Sequence, residues 1–457
     1  MRHSSSIAAA LGVLSLAACD IDVTDLNNPG LESIISSPTR GSVSTAATGL
    51  LIGARTGWTA TNGYVSEMGI LGRESYVLTT DDPRFTTELL IGPLDGGNGA
   101  FGGNHWVPRY ANIRAANIVL DAVEQVAAFS PEEKAGIKGF AKTIQAHDFL
   151  IVINTRDTFG APIDVNLAPT ATPAPLASKA DVYAHIVQLL DEGRTDLQAA
   201  GDEFAFPLSV GFVAFNTPAN FIKFNRALRA RVALYLGDNQ GALTALATSF
   251  IDPNAPMTLG AYHSFSNSSG DITNSAFDPT GRAIRGHPSF QRDALRRPDG
   301  SLDLRAAMKQ STTTPLTLQG VTSDKLVTVY ESNLAPIPIL RNEELLLIRA
   351  EANINLGNFL AAVTDLNRVR TVSGGLAPYG GPLTRDALID ELVYNRRYSL
   401  YFEGHRWIDA RRLNKLGTLP RDLPTHRVFN VFPFPREECL ARADAPSAPC
   451  SLVAGAP

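Results

Sequence analysis

The fold of this chain is decided by the stretch Ile339–Gly417, which contains RAEANINLGNFLAA (residues 349–362) and YNRRYSLYFEGHRWIDARRLNKL (residues 394–416). The first sequence predicts two antiparallel helices around a tight turn. The second predicts a charged amphipathic helix that continues through a glycine into another helix. Together they are typical of a scaffold built from helical repeats.

The charged residues of the second sequence look catalytic, but their spacing favours a structural role. Glu403, Arg406 and Asp409 stand three positions apart, which places them on one side of a helix. This spacing predicts a ladder of ion pairs that fixes the helix against its neighbours. The whole cluster comprises Arg396, Arg397, Glu403, Arg406, Asp409 and Arg411.

A repeat within the chain supports the helical scaffold. A small residue, a glycine and an alanine recur with the same spacings of seven and five positions, 120 residues apart. Small residues let two helices approach closely, and glycine supplies the turn between them. This pattern is typical of tetratricopeptide helix pairs. The two sets are Ala230, Gly237, Ala242 and Ala350, Gly357, Ala362.

Composition limits the classes of function. The chain has 457 residues, of which 44% are hydrophobic and 19% charged, so it is long enough for one large or two fused folded domains. The formal net charge is -5 and no basic block occurs, which argues against nucleic-acid binding.

The N-terminus predicts export and lipid attachment. Arg2 and His3 precede the apolar stretch Ile7–Ala18, which is too short to span a bilayer as a mature helix. The sequence LAAC (residues 16–19) matches a bacterial lipobox, in which Cys19 becomes the lipid-carrying N-terminal residue. Acyl chains on Cys19 would anchor an otherwise soluble body to a membrane.

The two other cysteines, Cys439 and Cys450, lie near the C-terminus. Outside the cytoplasm two spare thiols usually pair, so we expect a disulfide that closes a proline-rich tail. Free thiols or a metal pair remain as alternatives, but no CxxC motif or nearby histidine supports them.

The chain divides by composition and periodicity into five segments. We expect a mostly helical architecture, in which tetratricopeptide-like pairs form a superhelix and a long insert separates the two repeats. The segments are a signal peptide (1–18), a lipidated tether (19–40), an N-terminal helical part (41–250) with loop-rich residues 54–105, a loop-rich insert (251–338) and a C-terminal helical part with a disulfide-closed tail (339–457).

Motifs for catalysis or cofactors are weak. GNGAFG (residues 97–102) spells GxGxxG, but Pro93 and Pro108 flank it and no strand or helix is predicted to carry it, so we interpret it as a loop. No two histidines are spaced to bind a metal from one helix. We therefore expect no catalytic residue, no metal and no cofactor.

The irregular segments hold the candidate ligand-binding residues. Aromatic faces with amide and guanidinium groups are the groups that stack on and hydrogen-bond to sugars. Each of these residues alone is equally compatible with core packing. The candidates are Trp58, Asn62, Tyr64, Arg73 and Tyr76 in the loop-rich segment, and Tyr262 and Phe265 in the insert.

Five sequence blocks, in consistent order over residues 19–440, resemble the SusD/RagB family of outer-membrane nutrient-uptake lipoproteins. The most specific is YFEGHRWID (residues 401–409) with Arg412, which resembles the family's FEGxRxxD signature. The other blocks are Ile339–Ala352, the Trp106, Tyr110, Ile113, Asn117 set, Phe159–Ile163 and Phe432–Glu438.

The resemblance implies four tetratricopeptide-like helix pairs and loops that form a ligand surface. It also implies that the chain binds a glycan or a peptide without catalysis. It implies a partner as well, a SusC-like TonB-dependent transporter over which the lipoprotein closes as a lid at the cell surface. The cysteine-flanked tail departs from the family, which often ends in an asparagine-proline element. An alternative function is a helical-repeat scaffold for envelope proteins without a small ligand.

Overall fold

The computed structural model describes residues 31–96, 105–168, 170–442 and 450–456, and these residues are mostly helical. The α-helices are α1 (Leu31–Ser36), α2 (Arg40–Arg55), α3 (Tyr64–Leu71), α4 (Arg84–Thr87), α5 (Val107–Gln125), α6 (Pro131–Arg156), α7 (Lys179–Gln198), α8 (Pro218–Tyr235), α9 (Asn239–Leu246), α10 (Ser289–Arg292), α11 (Leu304–Lys309), α12 (Asn342–Asn355), α13 (Phe359–Val372), α14 (Arg385–Ser399), α15 (Arg406–Arg412) and α16 (Arg436–Ala441).

Short strands and 3₁₀ helices connect these helices. The strands are β1 (Ser75–Val77), β2 (Gly260–His263), β3 (Ile284–Gly286), β4 (Gln310–Leu318), β5 (Val321–Val327) and β6 (Ile337–Arg341), and the 3₁₀ helices are Asp157–Phe159, Val210–Phe215 and Leu416–Thr418. The strands form three antiparallel pairs, β1 with β3, β2 with β6 and β4 with β5.

The prediction of a mostly helical fold is confirmed, and the helix starts follow the sequence signals. Ser130 caps α6 by accepting a hydrogen bond from the Glu133 amide, and Glu133 accepts one from the Ser130 amide at 2.9 Å. This capping box satisfies two amides that the first turn leaves without helical partners.

The two repeated units form matching helix pairs. Gly237 joins α8 to α9 and Gly357 joins α12 to α13, and both glycines have φ = 79°. A side chain is strained in that left-handed conformation, so glycine suits both turns. The four alanines of the repeat, Ala230, Ala242, Ala350 and Ala362, are fully buried.

The two helix pairs are in contact although the insert separates them in sequence, and one face of α12 joins the hydrophobic cluster of α8 and α9. Helix α12 packs against both α8 and α9. At this junction the buried Arg231 donates to both carboxylate oxygens of Glu344, at 2.7 and 2.6 Å, and to the Ile339 carbonyl. The N-terminal and C-terminal helical parts therefore meet directly.

The predicted ladder of ion pairs along residues 403–409 is wrong. Phe402 and Gly404 have φ of 60° and 83°, so the chain breaks between α14 and α15 and the helical spacing does not continue. Glu403 pairs instead with Arg341 at 2.8 Å, and Asp409 with Arg396 at 2.6 Å. The charges hold separate elements together.

The loop-rich segment 54–105 contains more regular structure than its sequence indicates. Helix α3 lies there, and all eight of its residues are buried. A helix buried on every side lacks the alternation of polar and apolar residues from which helices are usually predicted. In the insert, β5 pairs with β4.

A disulfide joins Cys439 and Cys450 in the tail. After it, Val453 pairs with Leu94, which ties the tail to the loop-rich segment. Cys19 and the glycine motif at 97–102 lie outside the described residues. Over the parts of the chain that the structure describes, none of the helices is both long and apolar enough to cross a membrane.

Candidate ligand-binding site

Most of the aromatic residues expected to bind a ligand are packed into the core instead. Trp58, Tyr64, Tyr76 and Phe265 are at most 7% exposed. Trp58 lies against Tyr64, with ring centroids 4.9 Å apart. A ring that is covered on both faces cannot stack on a sugar, so the expectation of a ligand platform at these four residues is wrong.

Arg73 is also buried, and its guanidinium has structural partners. It donates to the carbonyls of Ile70, Pro420 and Arg427 at 2.7, 3.1 and 2.6 Å. It thus holds the chain after α15 against α3, and its predicted role in ligand binding is wrong too. Asn62 is half-buried and lies outside the cavity described below.

Tyr262 is the one predicted ligand residue that lines a cavity. The cavity has a volume of about 340 Å³ and lies between α2, the 3₁₀ helix Val210–Phe215, strand β2 and the loop that follows β2. Its lining residues are Thr48, Leu51, Ile52, Arg55, Ser209, Phe212, Tyr262, His263, Ser264, Ser269, Gly270 and Asp271.

Tyr262 is held in place by backbone contacts on both sides. Strand β2 has an irregular register between Ala261 and Tyr262, where Tyr262 is paired with Pro338 of β6. The Tyr262 hydroxyl donates to the Thr258 carbonyl. Burial raises the pKa of this hydroxyl to about 12, so it stays protonated at neutral pH. The ring is half-buried, which leaves part of it open to the cavity.

An ion pair closes one side of the cavity. Arg55, at the end of α2, donates to Asp271 and to the Ser264 carbonyl. Asp271 also accepts a hydrogen bond from the Ser266 hydroxyl at 2.5 Å. The Arg55 guanidinium carbon lies 5.6 Å from the centre of the Phe265 ring. These contacts tie the loop after β2 to α2.

His263 forms part of the inner wall and is only 3% exposed. Its Nε2 atom has no hydrogen-bond partner among the described residues. Burial lowers the pKa of His263 well below its usual value, with His147 and Arg109 contributing, so the imidazole is neutral. A buried polar atom without a partner is costly, and a ligand hydroxyl is one group that could satisfy it.

Large apolar side chains surround the cavity and face solvent. Ile52 in its wall is 54% exposed. Val210 and Val213, on the 3₁₀ helix that supplies Ser209 and Phe212 to the wall, are 81% and 73% exposed. Exposed apolar side chains grouped beside a concave polar surface are typical of binding sites.

The cavity lining contains a single carboxylate among the described residues. This carboxylate is that of Asp271, and it is paired with Arg55. Hydrolysis of a glycosidic bond by the usual mechanism needs two carboxyl groups that flank the bond. Within the described ranges no cluster of three histidine, cysteine or acidic side chains could hold a metal.

The contribution of α2 to this site was not predicted from the sequence. Thr48, Leu51, Ile52 and Arg55 follow one another at spacings of three, one and three, which places them on one side of the helix. The exposed Ile52 and the pairing of Arg55 with the insert depend on contacts distant in sequence. No local pattern could have revealed them.

Comparison with known proteins agrees with the fold. The model of the SusD family matches residues 294–431. No curated protein matches the chain in sequence. A SusD superfamily protein from Bacteroides vulgatus ATCC 8482 has a similar structure, with a TM-score of 0.67 and 17% identity over 88% of this chain and 97% of that chain.

Two further solved structures are similar, and both proteins are described by what they bind. A SusD-like carbohydrate-binding protein from Bacteroides fragilis NCTC 9343 has a TM-score of 0.67 and 16% identity, over 93% of this chain and 95% of that chain. A laminarin-binding SusD-like protein has a TM-score of 0.60 and 17% identity, over 88% and 97%. The SusD family model therefore matches the C-terminal region that contains the signature, and the fold is shared with these SusD-like structures along most of the chain.

Proposed function

We propose that this protein captures an oligosaccharide in the cavity beside Tyr262 and does not cleave it. The observation that carries this proposal is the half-buried Tyr262 ring, which is fixed by its hydroxyl and borders a cavity of about 340 Å³. Two proteins of the same fold are described as carbohydrate-binding and laminarin-binding, which supports a glycan as the ligand class.

Recognition of the glycan would combine stacking on an aromatic ring with hydrogen bonds to polar side chains. The Tyr262 ring offers an apolar face to the C–H side of a sugar, and Ile52 extends that apolar surface. The serine hydroxyls at 209, 264 and 269 and the neutral His263 can exchange hydrogen bonds with sugar hydroxyls. A site with this mixture recognises an uncharged polyhydroxylated ligand.

The cellular role that we propose is delivery of this glycan to a transporter. The lipobox at Cys19 supports attachment to the outer membrane, with the protein exposed at the cell surface. The resemblance to the SusD family supports a SusC-like TonB-dependent transporter as the partner, with this protein as its lid. Purification of the lipoprotein from membranes tests both ideas. A β-barrel transporter should copurify, and Cys19→Ser should release the protein from the membrane; a soluble wild type without a barrel would contradict them.

Calorimetric titration of the purified lipoprotein in detergent tests the binding function. The panel should contain laminarin, maltohexaose, a pectin fragment and a mixture of short peptides. We expect at least one glycan to bind with a Kd in the micromolar to millimolar range, and the peptides not to bind. Binding of peptides alone, or of nothing while the barrel still copurifies, would contradict the glycan proposal and favour a peptide carrier or a scaffold.

A further inference from the structure

A second cavity, of about 300 Å³, lies between α14, α15 and the segment that follows α15. It shares no lining residue with the cavity beside Tyr262. Four cationic side chains line it, together with two carboxylates. These residues are Arg396, Arg397, Arg406 and Lys415, and Asp390 and Asp409.

Arg396 is the most deeply buried of these cations, with 2% of its surface exposed. Its Nε donates to Asp409 at 2.6 Å, while Nη1 and Nη2 find no hydrogen-bond partner in the described structure. The other oxygen of Asp409 is engaged by Arg412, accepting a hydrogen bond from Nε at 2.9 Å and lying 2.8 Å from Nη2. One side of a buried guanidinium is therefore left unsatisfied beside a cavity.

Two neighbouring arginines also have nitrogens without hydrogen-bond partners. Arg406 Nη1 and Arg397 Nε are buried without a hydrogen-bond partner in the described part of the chain. The other nitrogens of Arg397 are occupied, since Nη1 donates to Asp293 at 3.1 Å and Nη2 to Ser289 at 2.8 Å. Burial, with the nearby charge of Arg397, lowers the pKa of Arg406 to about 9, so Arg406 is still a cation at neutral pH.

The charges that line this cavity do not balance. Lys415 pairs with Asp390 at 2.7 Å and Arg396 with Asp409, whereas the charges near Arg397 and Arg406 are Asp293, at 3.1 Å from Arg397, and the buried Glu74, neither of which lines the cavity. Burying a guanidinium nitrogen away from water without a hydrogen-bond partner costs more free energy than burying one that is hydrogen-bonded. Guanidinium groups bind carboxylates and phosphates with especially strong, directional hydrogen bonds.

We propose that this cavity binds a small oxyanion, held by the free nitrogens of Arg396, Arg397 and Arg406. Both a phosphate and the carboxylate of a small organic acid present the required oxygens. The apolar side chains of Val393, Ala410 and Leu419 lie in the same wall and would contact the body of an organic acid. This site is independent of the proposed glycan site and needs no glycan to be bound.

Titration of the full lipoprotein at pH 7, in a buffer free of phosphate and carboxylate, tests this proposal. The probes are inorganic phosphate, glucuronate and, as an uncharged control, glucose. We expect phosphate or glucuronate to bind and glucose not to bind. Binding of glucuronate alone would identify a carboxylate as the natural group, and binding of phosphate alone would identify a phosphate. Binding of neither anion would overturn the proposal.

Substitution of Arg406 decides whether the anion binds at this site. Arg406→Gln removes the charge from a side chain that contributes an unpartnered nitrogen, so we expect a loss of affinity of tenfold or more. Arg282→Gln, at an exposed arginine outside the cavity, is the matched control and should change nothing. If the wild type, Arg406→Gln and Arg282→Gln bind the anion with equal affinity, the result would mean an adventitious ion only. If Arg406→Gln does not fold, Lys415→Gln at the edge of the cavity takes its place, with a severalfold loss expected.

Discussion

His147 and His263 are buried side chains whose rings lie 6.1 Å apart, and neither Nε2 has a hydrogen-bond partner among the described residues. Burial, assisted by the charges of Arg231 and Arg109, lowers the pKa of His147 to about 3. The folded protein therefore stabilises the neutral imidazole relative to the charged imidazolium. Protonation of this pair must weaken the protein next to the cavity wall.

The lowered pKa of His147 predicts how the stability of the protein depends on pH. A folded-state pKa below the usual value means that His147 contributes stability above pH 6.5 and that this contribution is lost as the pH falls toward about 3. At pH 5 we expect a loss of about 2 kcal/mol relative to pH 7 from this residue. His147→Gln cannot titrate and should show a flatter profile in urea denaturation between pH 7 and 5. Parallel profiles of wild type and variant would contradict this account.

The contrast between Trp58 and Tyr262 shows what sequence could not settle at the scale of single residues. Both are aromatic and lie in segments without helical periodicity. Trp58 is enclosed by Tyr64 and His263, with ring centroids 4.9 and 4.6 Å away, whereas Tyr262 borders a cavity. The enclosing partner His263 is some 200 positions away in sequence, so residue type alone could not separate the two cases.

Among the elements, the contact of the 3₁₀ helix Val210–Phe215 with β2 sets the shape of the cavity. Gly211 approaches the backbone of Tyr262 so closely that an added Cβ atom would lie 2.0 Å from the Tyr262 carbonyl oxygen. No real Cβ atom tolerates that distance to a backbone atom. The 3₁₀ helix can pack here only because residue 211 is glycine.

Gly211→Ala should therefore damage both stability and binding. We expect the free energy of unfolding to fall by about 1–3 kcal/mol, because the 3₁₀ helix must move away from β2. Glycan affinity should fall as well, since Ser209 and Phe212 would move with the 3₁₀ helix. Gly417→Ala is the control, because an added Cβ there meets no atom within 4 Å, and it should be nearly neutral. Equal denaturation midpoints for the two variants would contradict this packing argument.

Helices with a strong local pattern were predictable, and those defined by tertiary contacts were not. The cap at Ser130 and the turn glycines at 237 and 357 fix their helices from local sequence. Helix α3 has no such pattern because every face is buried. The break at residues 402–404 depends on backbone conformations that the helical spacing of the charges conceals.

At the scale of the whole molecule, sequence predicted the helical scaffold and the resemblance to the SusD family but not the site. The repeat indicates helix pairs, and in the structure α12 of the second pair packs against α8 and α9 of the first. The cavity beside Tyr262 is assembled from three segments, around residues 48–55, 209–212 and 262–271. Only the last of these lies wholly in the segments from which a ligand site was expected.

The central claim is that Tyr262 contacts the glycan, and calorimetric comparison of two tyrosine variants tests it most directly. Tyr379 is a matched control, because it is also half-buried and its hydroxyl also donates to a nearby carbonyl, that of Pro382. Loss of a stacking tyrosine should remove about 1–2 kcal/mol of binding energy. The account predicts that Tyr262→Ala weakens binding of the best glycan of the panel about fivefold or more, while Tyr379→Ala leaves it unchanged. Equal affinities of wild type and both variants would contradict it.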